Sequence, residues 1–300
     1  MTSDGDEARR IFLGMVQHVL DQLDIEHQLD ESDALVVHGS LGSTTVAVEY
    51  GPFVGAPDQA DGIWRAVVRH AYNDEELAIL NRAGTASPQM ATLGSSLHGQ
   101  FCAQAALTAA PWGVLATCVA LSAAHGAWAT LLSIYSAIDP SYANPPSASA
   151  WSEVDLDLIS YRLGQTGIHS SSANAISVNR IVGDRAYVAS LTRIANHPAM
   201  GGGLVGLTRV FGVTEDGTEL ARMAAGLNAM AFQFGTIPVF GAWCVQDGLT
   251  YVTFIPNNLS KVSDMAWHAL RWHVAWGDWA IRGGMVDRAS EFAAKYLRVT

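Results

Sequence analysis

The chain has 300 residues, enough for one large domain or for two of ordinary size. Charged residues make up only 15% of it, against roughly 25% in typical soluble domains, whereas 49% of the residues are hydrophobic. The net charge of −11 and the lack of a Lys/Arg cluster argue against nucleic acid or an anionic membrane as a partner. The composition therefore predicts a well-packed protein whose outer faces are partly covered, by a partner or by the chain itself.

The cysteines and the N-terminal residues indicate the cellular compartment and whether a metal site is to be expected. Cys102, Cys118 and Cys244 are widely spaced and form no CxxC pair, so we expect buried thiols and neither a disulfide framework nor a metal site. The first ten residues, MTSDGDEARR, are polar and acidic, unlike a signal peptide. We therefore expect a cytoplasmic protein, and the high Ala and Gly content suggests a GC-rich bacterial source.

One segment could be interpreted as a membrane span. No Asp, Glu, Lys or Arg occurs between Arg82 and Asp139, and residues 113–138 are long enough to cross a bilayer. The segment nevertheless contains His125, Gly126 and several Ser and Thr, and it is rich in Ala, which contributes little to insertion. We therefore favour a buried Ala-rich helix and expect no membrane partner.

The second half of the chain repeats the first. Residues 33–48 (DALVVHGSLGSTTVAV) align without a gap with residues 174–189 (NAISVNRIVGDRAYVA), and the triplet Glu-Leu-Ala at 76–78 recurs at 219–221. The spacing between matched segments stays nearly constant along the chain. This pattern predicts a duplication.

Each copy is predicted to contain the same elements in the same order: a helix, three or four strands, a short helix, a hairpin and a long helix. Amphipathic helices open the copies, and long apolar helices close them. The opening helices are predicted at 8–23 and 153–163, the hairpins at 89–93 with 98–107 and at 239–245 with 249–255, and the closing helices at 112–138 and 262–281. Consecutive antiparallel strands with helices segregated to one face predict an α+β fold.

A boundary between the copies is marked by DPSYANPPSASA at residues 139–150, which is rich in Pro, Ser and Ala. We therefore predict a first domain at 1–138, a linker at 139–150 and a second domain at 151–300. The two tandem copies are expected to pack against each other as a pseudo-dimer.

The order of elements, the Asn near the end of each short helix (Asn81 and Asn228), and the hairpin followed by a long helix resemble the type III secretion chaperone-like fold. Within that fold the chain looks similar to the YbjN-like bacterial sensory-transduction-regulator family. The resemblance covers both halves and is one of layout, and the second copy departs from it at residues 197–203 (HPAMGGG).

The resemblance implies a non-enzymatic, chaperone-like or regulatory protein that holds a segment of a partner protein. It implies no cofactor and carries over no catalytic residue. It also implies that the two copies form within one chain the assembly that single-domain members form as homodimers; a homodimer of the whole chain remains open.

Four tryptophans of the last long helix are the predicted binding residues. At helical periodicity, Trp267 lies on one face, whereas Trp272, Trp276 and Trp279 lie on nearly the opposite face. Two helix faces need two surfaces, since three exposed tryptophans would leave a large apolar patch.

Three surfaces are open for this second tryptophan face. One is a stripe of small residues on the first closing helix, which consists of Ala116, Ala120, Ala123 and Ala127. Another is the sheet of the second copy itself, or a loop beside it. The last is a partner protein, because interface cores are enriched in Trp.

No catalytic motif is present: the sequence has no GxSxG, P-loop, HExxH or GxGxxG at a strand–helix junction. The glycines at 201–203 lead into an apolar strand and are interpreted as a flexible turn. His268 and His273 lie on different helix faces, and His197 is the histidine best placed for chemistry. We predict a protein-binding protein; the alternative is a small-ligand sensor or an enzyme with a pocket between the copies.

Overall fold

A computed structural model describes residues 3–52, 62–83, 94–97, 99–164, 169–234 and 236–296. The strand predicted at 89–93 lies outside these residues. Everything below concerns the described part of the chain.

The first unit contains four helices and six strands among its described residues. They are α1 (Ser3–Gln22), β1 (His27–Leu29), β2 (Leu35–Gly39), β3 (Gly42–Pro52), β4 (Gly62–Ala71), α2 (Asp74–Ala83), β5 (Ser95–Leu97), β6 (Gln100–Ala106), α3 (Trp112–Leu121) and α4 (Ala127–Ile138). A π-helical turn, Ser122–Gly126, joins α3 and α4.

The second unit has the same order, with one helix in the place of α3 and α4, and ends with a further helix. Its elements are α5 (Glu153–Leu163), β7 (His169–Ser171), β8 (Ala175–Val182), β9 (Arg185–His197), β10 (Gly201–Phe211), α6 (Gly217–Phe234), β11 (Ala242–Val245), β12 (Leu249–Pro256), α7 (Met265–Ile281) and α8 (Met285–Tyr296). The short helix predicted after the acidic residues at 214–216 is the long helix α6. The sequence prediction missed α8, whose buried Val286, Ala289 and Ala293 carry a helical spacing that could have indicated it.

The two sheets have the same topology. The first runs β1-β2-β3-β4-β6-β5 and the second β7-β8-β9-β10-β12-β11, with each neighbouring pair antiparallel. The prediction of an α+β fold is therefore confirmed, and the two antiparallel sheets are consistent with two α+β units.

The hydrogen-bond ladders align the two sheets residue by residue. In the first sheet His27 of β1 pairs with Val37, and in the second His169 of β7 pairs with Val178, so Val37 and Val178 are equivalent. The ungapped sequence alignment is therefore right for β2 and β8.

The same alignment is wrong for β3 and β9. Val37 pairs with Thr44, but Val178 pairs with Ala189, which makes Thr44 equivalent to Ala189. The β8–β9 hairpin is longer than the β2–β3 hairpin on both strands, and its last pair, Val182 with Arg185, encloses the turn at Gly183. A hairpin that lengthens symmetrically keeps its turn chemistry, so the sequence alone did not reveal the insertion.

Each sheet packs its inner face on helices of its own unit. α1 and α3 contact each other, and α3 and the π turn contact strands of the first sheet, where Gly126 lies against the ring of Phe101. In the second unit α7 contacts β9 and β10, where Gly277 lies against the ring of Tyr187. Buried apolar residues of α1 and α5, such as Val16 and Ile159, complete the two cores.

The helix predicted as apolar and buried is mostly buried. Trp112–Ala137 is the one helix, within the part of the chain that the structure describes, that is long and apolar enough to cross a membrane, and 83% of its apolar window lies inside the fold. Its hydroxyl groups are satisfied internally; Thr130, for example, donates to the carbonyl of Gly126 at 2.9 Å. This burial accords with the Ala-rich composition.

Backbone hydrogen bonds join the two units. Gln104 of β6 and Val239 form an antiparallel bridge, with N–H···O distances of 3.3 Å and 2.8 Å. The buried Gln104 amide also donates to the carbonyl of Ala231 on α6 at 3.0 Å. On α6, Asn228 donates to and accepts from the backbone of Trp243, which satisfies the free edge of β11 at that residue.

The linker is docked on the second unit. The Asn144 N–H donates to the carbonyl of Pro198 at 2.7 Å, and Ser147 Oγ accepts from the N–H of Gly202 at 2.8 Å. Further along, Ser149 Oγ donates to the carbonyl of Gly203 at 2.9 Å. These bonds tie residues 144–149 to the corner between β9 and β10.

The glycines at 201–203 are explained by this docking and are not a flexible turn. A Cβ on Gly202 would overlap the carbonyl oxygens of Ala148 and Ser147, and a Cβ on Gly203 would overlap Phe254 and a backbone carbonyl. Gly201 has φ +69°, a conformation that favours glycine. The three glycines open β10; Gly202 lets the linker backbone approach closely, and Gly203 lets β12 do so.

We expect Gly202→Val to lower the free energy of unfolding by about 1–3 kcal/mol, because the new side chain displaces the linker from β10. Chemical denaturation measures the effect. Gly14→Ala is the control: its Cβ meets no atom within 4 Å and lies in a helix, so it should be neutral or slightly stabilising. Equal stability of Gly202→Val and the wild type would show that the linker contacts contribute nothing.

Candidate functional site

The four predicted tryptophans lie on α7 and face the second unit. Trp276 is fully buried and Trp272 nearly so, whereas Trp267 and Trp279 are half-buried. Trp276 stacks at 5.0 Å from Tyr251 of β12 and donates from Nε1 to the carbonyl of Pro238. The aromatic neighbours of this face therefore belong to the strands of the second unit and the segment leading into β11.

Trp272 and Trp276 are consequently not available to a partner protein, which corrects the prediction of an intermolecular surface at these two residues. Trp272 packs at 5.8 Å from Phe240, and the ring of Trp276 also meets Trp243 edge-on. Among the surfaces considered for this face, its own sheet and the loop before β11 supply the aromatic neighbours of Trp272 and Trp276. Helical periodicity predicted the angle between the two faces of α7, but it could not predict which part of the protein packs against each face.

Trp267 lies elsewhere, on the half-exposed side of α7. The guanidinium of Arg162 sits 5.7 Å from the centre of its ring and forms an ion pair with Asp264 at 2.7 Å. The structure therefore separates Trp267 from the other three tryptophans.

We expect Trp276→Ala to lower the free energy of unfolding by about 3–5 kcal/mol, because it empties a fully buried aromatic site. Trp267→Ala, the matched change at a half-buried site on the same helix, should cost only about 1–2 kcal/mol. Denaturant titrations of both variants measure the difference. Similar losses for the two variants would contradict the packing described above.

A cavity of about 480 Å³ lies between α4 of the first unit and the outer face of the second sheet. We refer to it as the inter-unit cleft. The residues that line it share neutral side chains, and they are Ser133, Ser136, Ala137, Ala143, Ile194, Asn196, His197, Pro198, Val205, Leu207, Gln246, Val252 and Phe254. The sequence prediction missed these residues as a group, since they come from α4, the linker, three strands and the turns beside them.

The floor of the cleft is an apolar region of the second sheet. Cys244 and Val252 are buried there, with Val205, Leu207 and Ala242 half-buried against them. In antiparallel sheets the outer face is usually solvated and polar. An apolar outer face that stays half-exposed is a candidate binding surface.

The equivalent face of the first sheet carries an ion pair at two of these positions. Because Thr44 is equivalent to Ala189, Thr45 is equivalent to Ser190, and their ladder partners Arg69 and Leu207 are equivalent in turn. By the same register Glu49 is equivalent to Ile194. Arg69 and Glu49 form an ion pair at 2.6 Å, where the second sheet has leucine and isoleucine.

His197, the histidine that the sequence favoured for chemistry, lines the cleft but has a structural role in the corner between β9 and β10. Its ring stacks on Phe254 with centroids 3.9 Å apart, and Nδ1 accepts from the N–H groups of Ala199 and Met200 at 3.2 Å. A nitrogen that accepts two hydrogen bonds carries no proton, so the ring proton lies on Nε2.

His273 and His268 lie away from the cleft, on α7. The hydroxyl of Thr208 donates its proton to the carbonyl of His273 at 2.8 Å. The Thr208 oxygen therefore accepts a hydrogen bond from Nδ1 of His273, also at 2.8 Å. Nε2 is then unprotonated, and it abuts Gly206 with no hydrogen-bond partner among the described residues. Burial lowers the pKa of His273 to about 3 and also lowers the pKa of His268.

The buried thiols are protonated at neutral pH. Burial raises the pKa of Cys102 to about 11 and the pKa values of Cys118 and Cys244 to about 12. A thiol that stays protonated is a weak nucleophile and a poor metal ligand. Over the described ranges, no group of three or more His, Cys, Asp or Glu is arranged to hold a metal ion.

We expect His273 to make stability depend on pH. Its folded-state pKa of about 3 lies below the usual 6.5, so the unfolded state binds more protons between these values. Stability contributed by the neutral ring is complete above pH ~6.5 and falls with pH by up to about 1.4 kcal/mol per unit until about pH 3.

The comparison with His273→Gln isolates this contribution, since the amide does not titrate and acidic residues affect both proteins alike. Urea titrations between about pH 7 and pH 4 should show a shallower decrease for His273→Gln than for the wild type. Identical slopes would mean that His273 is protonated in the fold or titrates normally.

No protein-family model matches the chain, and no match is found among curated proteins or solved structures.

Proposed function

We propose that this protein is a non-enzymatic binding protein that holds a segment of a partner protein in the inter-unit cleft. The observation that carries the proposal is the cleft itself: a cavity of about 480 Å³ whose floor is an apolar sheet face and whose wall is a helix of the other unit. Helix-and-sheet grooves of this kind bind protein segments by burying apolar side chains.

The contrast between the two sheets supports a binding role for this face. The fold accepts an ion pair between Arg69 and Glu49 at positions equivalent to Leu207 and Ile194. The topology of the sheet alone therefore does not require apolar residues there. Binding to an apolar surface of a partner would require them.

The state of the titratable groups supports a role without catalysis. The three cysteines have raised pKa values, and His273 is held neutral by burial. Nδ1 of His197 accepts hydrogen bonds from two backbone N–H groups. None of these groups is arranged as an activated nucleophile with an adjacent base.

We further propose that the two units are tandem copies of one ancestral unit, packed within one chain as a pseudo-dimer with domains at 1–138 and 151–300. The identical strand order of the two sheets supports a duplication. The likeness to the type III secretion chaperone-like fold and to YbjN-like proteins, and with it a cytoplasmic bacterial chaperone or regulator, is part of the same proposal and rests on the layout of elements.

Peptide display tests the binding role. A random-peptide library is selected in parallel on the wild type and on Leu207→Arg, which places in the cleft the residue type found at the equivalent position of the first sheet. Peptides enriched on the wild type should bind Leu207→Arg at least about tenfold more weakly, because a charge would be buried without a partner. Fluorescence anisotropy of the synthesised peptides gives the affinities.

Leu29→Arg is the matched control, since Leu29 is 51% exposed on β1, remote from the cleft. It should bind the peptides as the wild type does. If no peptide is enriched on the wild type over Leu207→Arg, the cleft does not bind protein segments.

A second candidate function is the binding of a small neutral ligand in the same cleft. The volume of about 480 Å³ favours it, because small-molecule sites span roughly 300–1,000 Å³. A thermal-shift screen of uncharged metabolites discriminates: a ligand that raises the melting temperature of the wild type but not of Leu207→Arg would favour this function.

A further inference from the structure

The α4 wall of the cleft carries two hydroxyl groups whose protons are already committed. Ser133 Oγ donates to the carbonyl of Ala129 at 2.8 Å, and Ser136 Oγ donates to the carbonyl of Ser133 at 2.9 Å. A hydroxyl has a single proton and two lone pairs. Both residues are buried in the lining of the cleft, and any further hydrogen bond to either oxygen can therefore only be accepted by it.

The opposite wall offers no hydrogen-bonding side chain at its centre. Val205, Leu207 and Val252 form an apolar floor on the second sheet. The cleft thus has one side that accepts hydrogen bonds and one side that buries apolar groups. Asn196 and Gln246 add amide groups, which both donate and accept.

Charge is absent from every residue that lines the cleft. A carboxylate placed there would face the acceptor oxygens of Ser133 and Ser136 and find no cation. An ammonium or guanidinium group would find acceptors but no counter-charge. Burying either ion without a partner is far more costly than burying a hydrogen-bonded amide.

We propose that Ser133 and Ser136 determine specificity by accepting hydrogen bonds from backbone N–H groups of an uncharged segment, whose apolar side chains lie on the sheet floor. The inference rests on the proposed function and names the chemistry of its partner: neutral, apolar on one side and rich in N–H donors on the other. An extended peptide can match this pattern because its side chains point to its faces, whereas its N–H groups, alternating with C=O groups, point to its edges.

The test uses the peptides selected on the wild type, together with derivatives that are N-methylated at single positions. Ser133→Ala and Ser136→Ala should each weaken binding about three- to tenfold, the range of one net hydrogen bond. N-methylation at the contacted position should weaken binding to the wild type similarly, and should have no further effect on the double variant Ser133→Ala/Ser136→Ala. Alanine is the best helix former, so α4 should remain folded, as circular dichroism can verify.

Thr130→Val is the matched control. Thr130 is buried on α4 and also bonds back to the helix, at 2.9 Å from the carbonyl of Gly126, but it does not line the cleft. This variant should bind the peptides as the wild type does.

The outcomes separate this inference from the proposed function. Peptides that bind the serine variants as tightly as the wild type would overturn the role of the two serines while leaving the binding function standing. A charge required in every selected peptide would overturn the inferred chemistry. Failure to select any peptide on the wild type over Leu207→Arg would overturn the proposed function itself.

Discussion

The inter-unit cleft depends on the backbone bridge between Gln104 and Val239. Among the described residues, β5 pairs with the first three residues of β6, and Gln104 lies on the same strand edge beyond that pairing. Val239 takes part of this edge, and the amide of Gln104 bonds to Ala231 on α6. Because a free strand edge carries strong hydrogen-bonding groups, its pairing fixes the two units relative to each other. The position of α4 over the second sheet follows from this arrangement.

A fold that contains two units of equal topology provides an internal comparison. Positions that share a ladder register occupy the same place in the sheet, but the two outer faces have different surroundings, because α4 lies opposite the second one. Arg69 and Glu49 show that the outer face of such a sheet tolerates charges in partly solvated positions. The sheet topology alone therefore does not require Leu207 and Ile194, which line the cleft opposite α4. This comparison became possible only after the longer β8–β9 hairpin had corrected the alignment.

Sequence reasoning worked where the information is local. It placed α5 at its observed bounds, where Ser152 and Asp155 form a capping box at the start of the helix. It also placed the tight turn at Asp247-Gly248, where both residues have positive φ. These features depend on a few neighbouring residues whose chemistry is sufficient to define them.

It failed where the information is distributed over the chain. Helical periodicity assigned Trp276 to a face but could not identify Tyr251 and Trp243 as its neighbours. Ser133 and Leu207 meet across the cleft from different units, and no pattern in either segment refers to the other. The apolar outer face could have been found from sequence, but only with the repeat aligned in the register that the ladders show.

The docked linker bears on how the cleft can bind. A segment of Pro, Ser and Ala is flexible by composition, yet Asn144, Ser147 and Ser149 hold it against the glycines that open β10. The same corner carries His197, stacked on Phe254 in the lining of the cleft. Ordering these residues costs conformational entropy, and the linker contacts offset this loss when the protein folds. A ligand then encounters a cleft that is already formed, so less of its binding free energy is consumed in ordering the site.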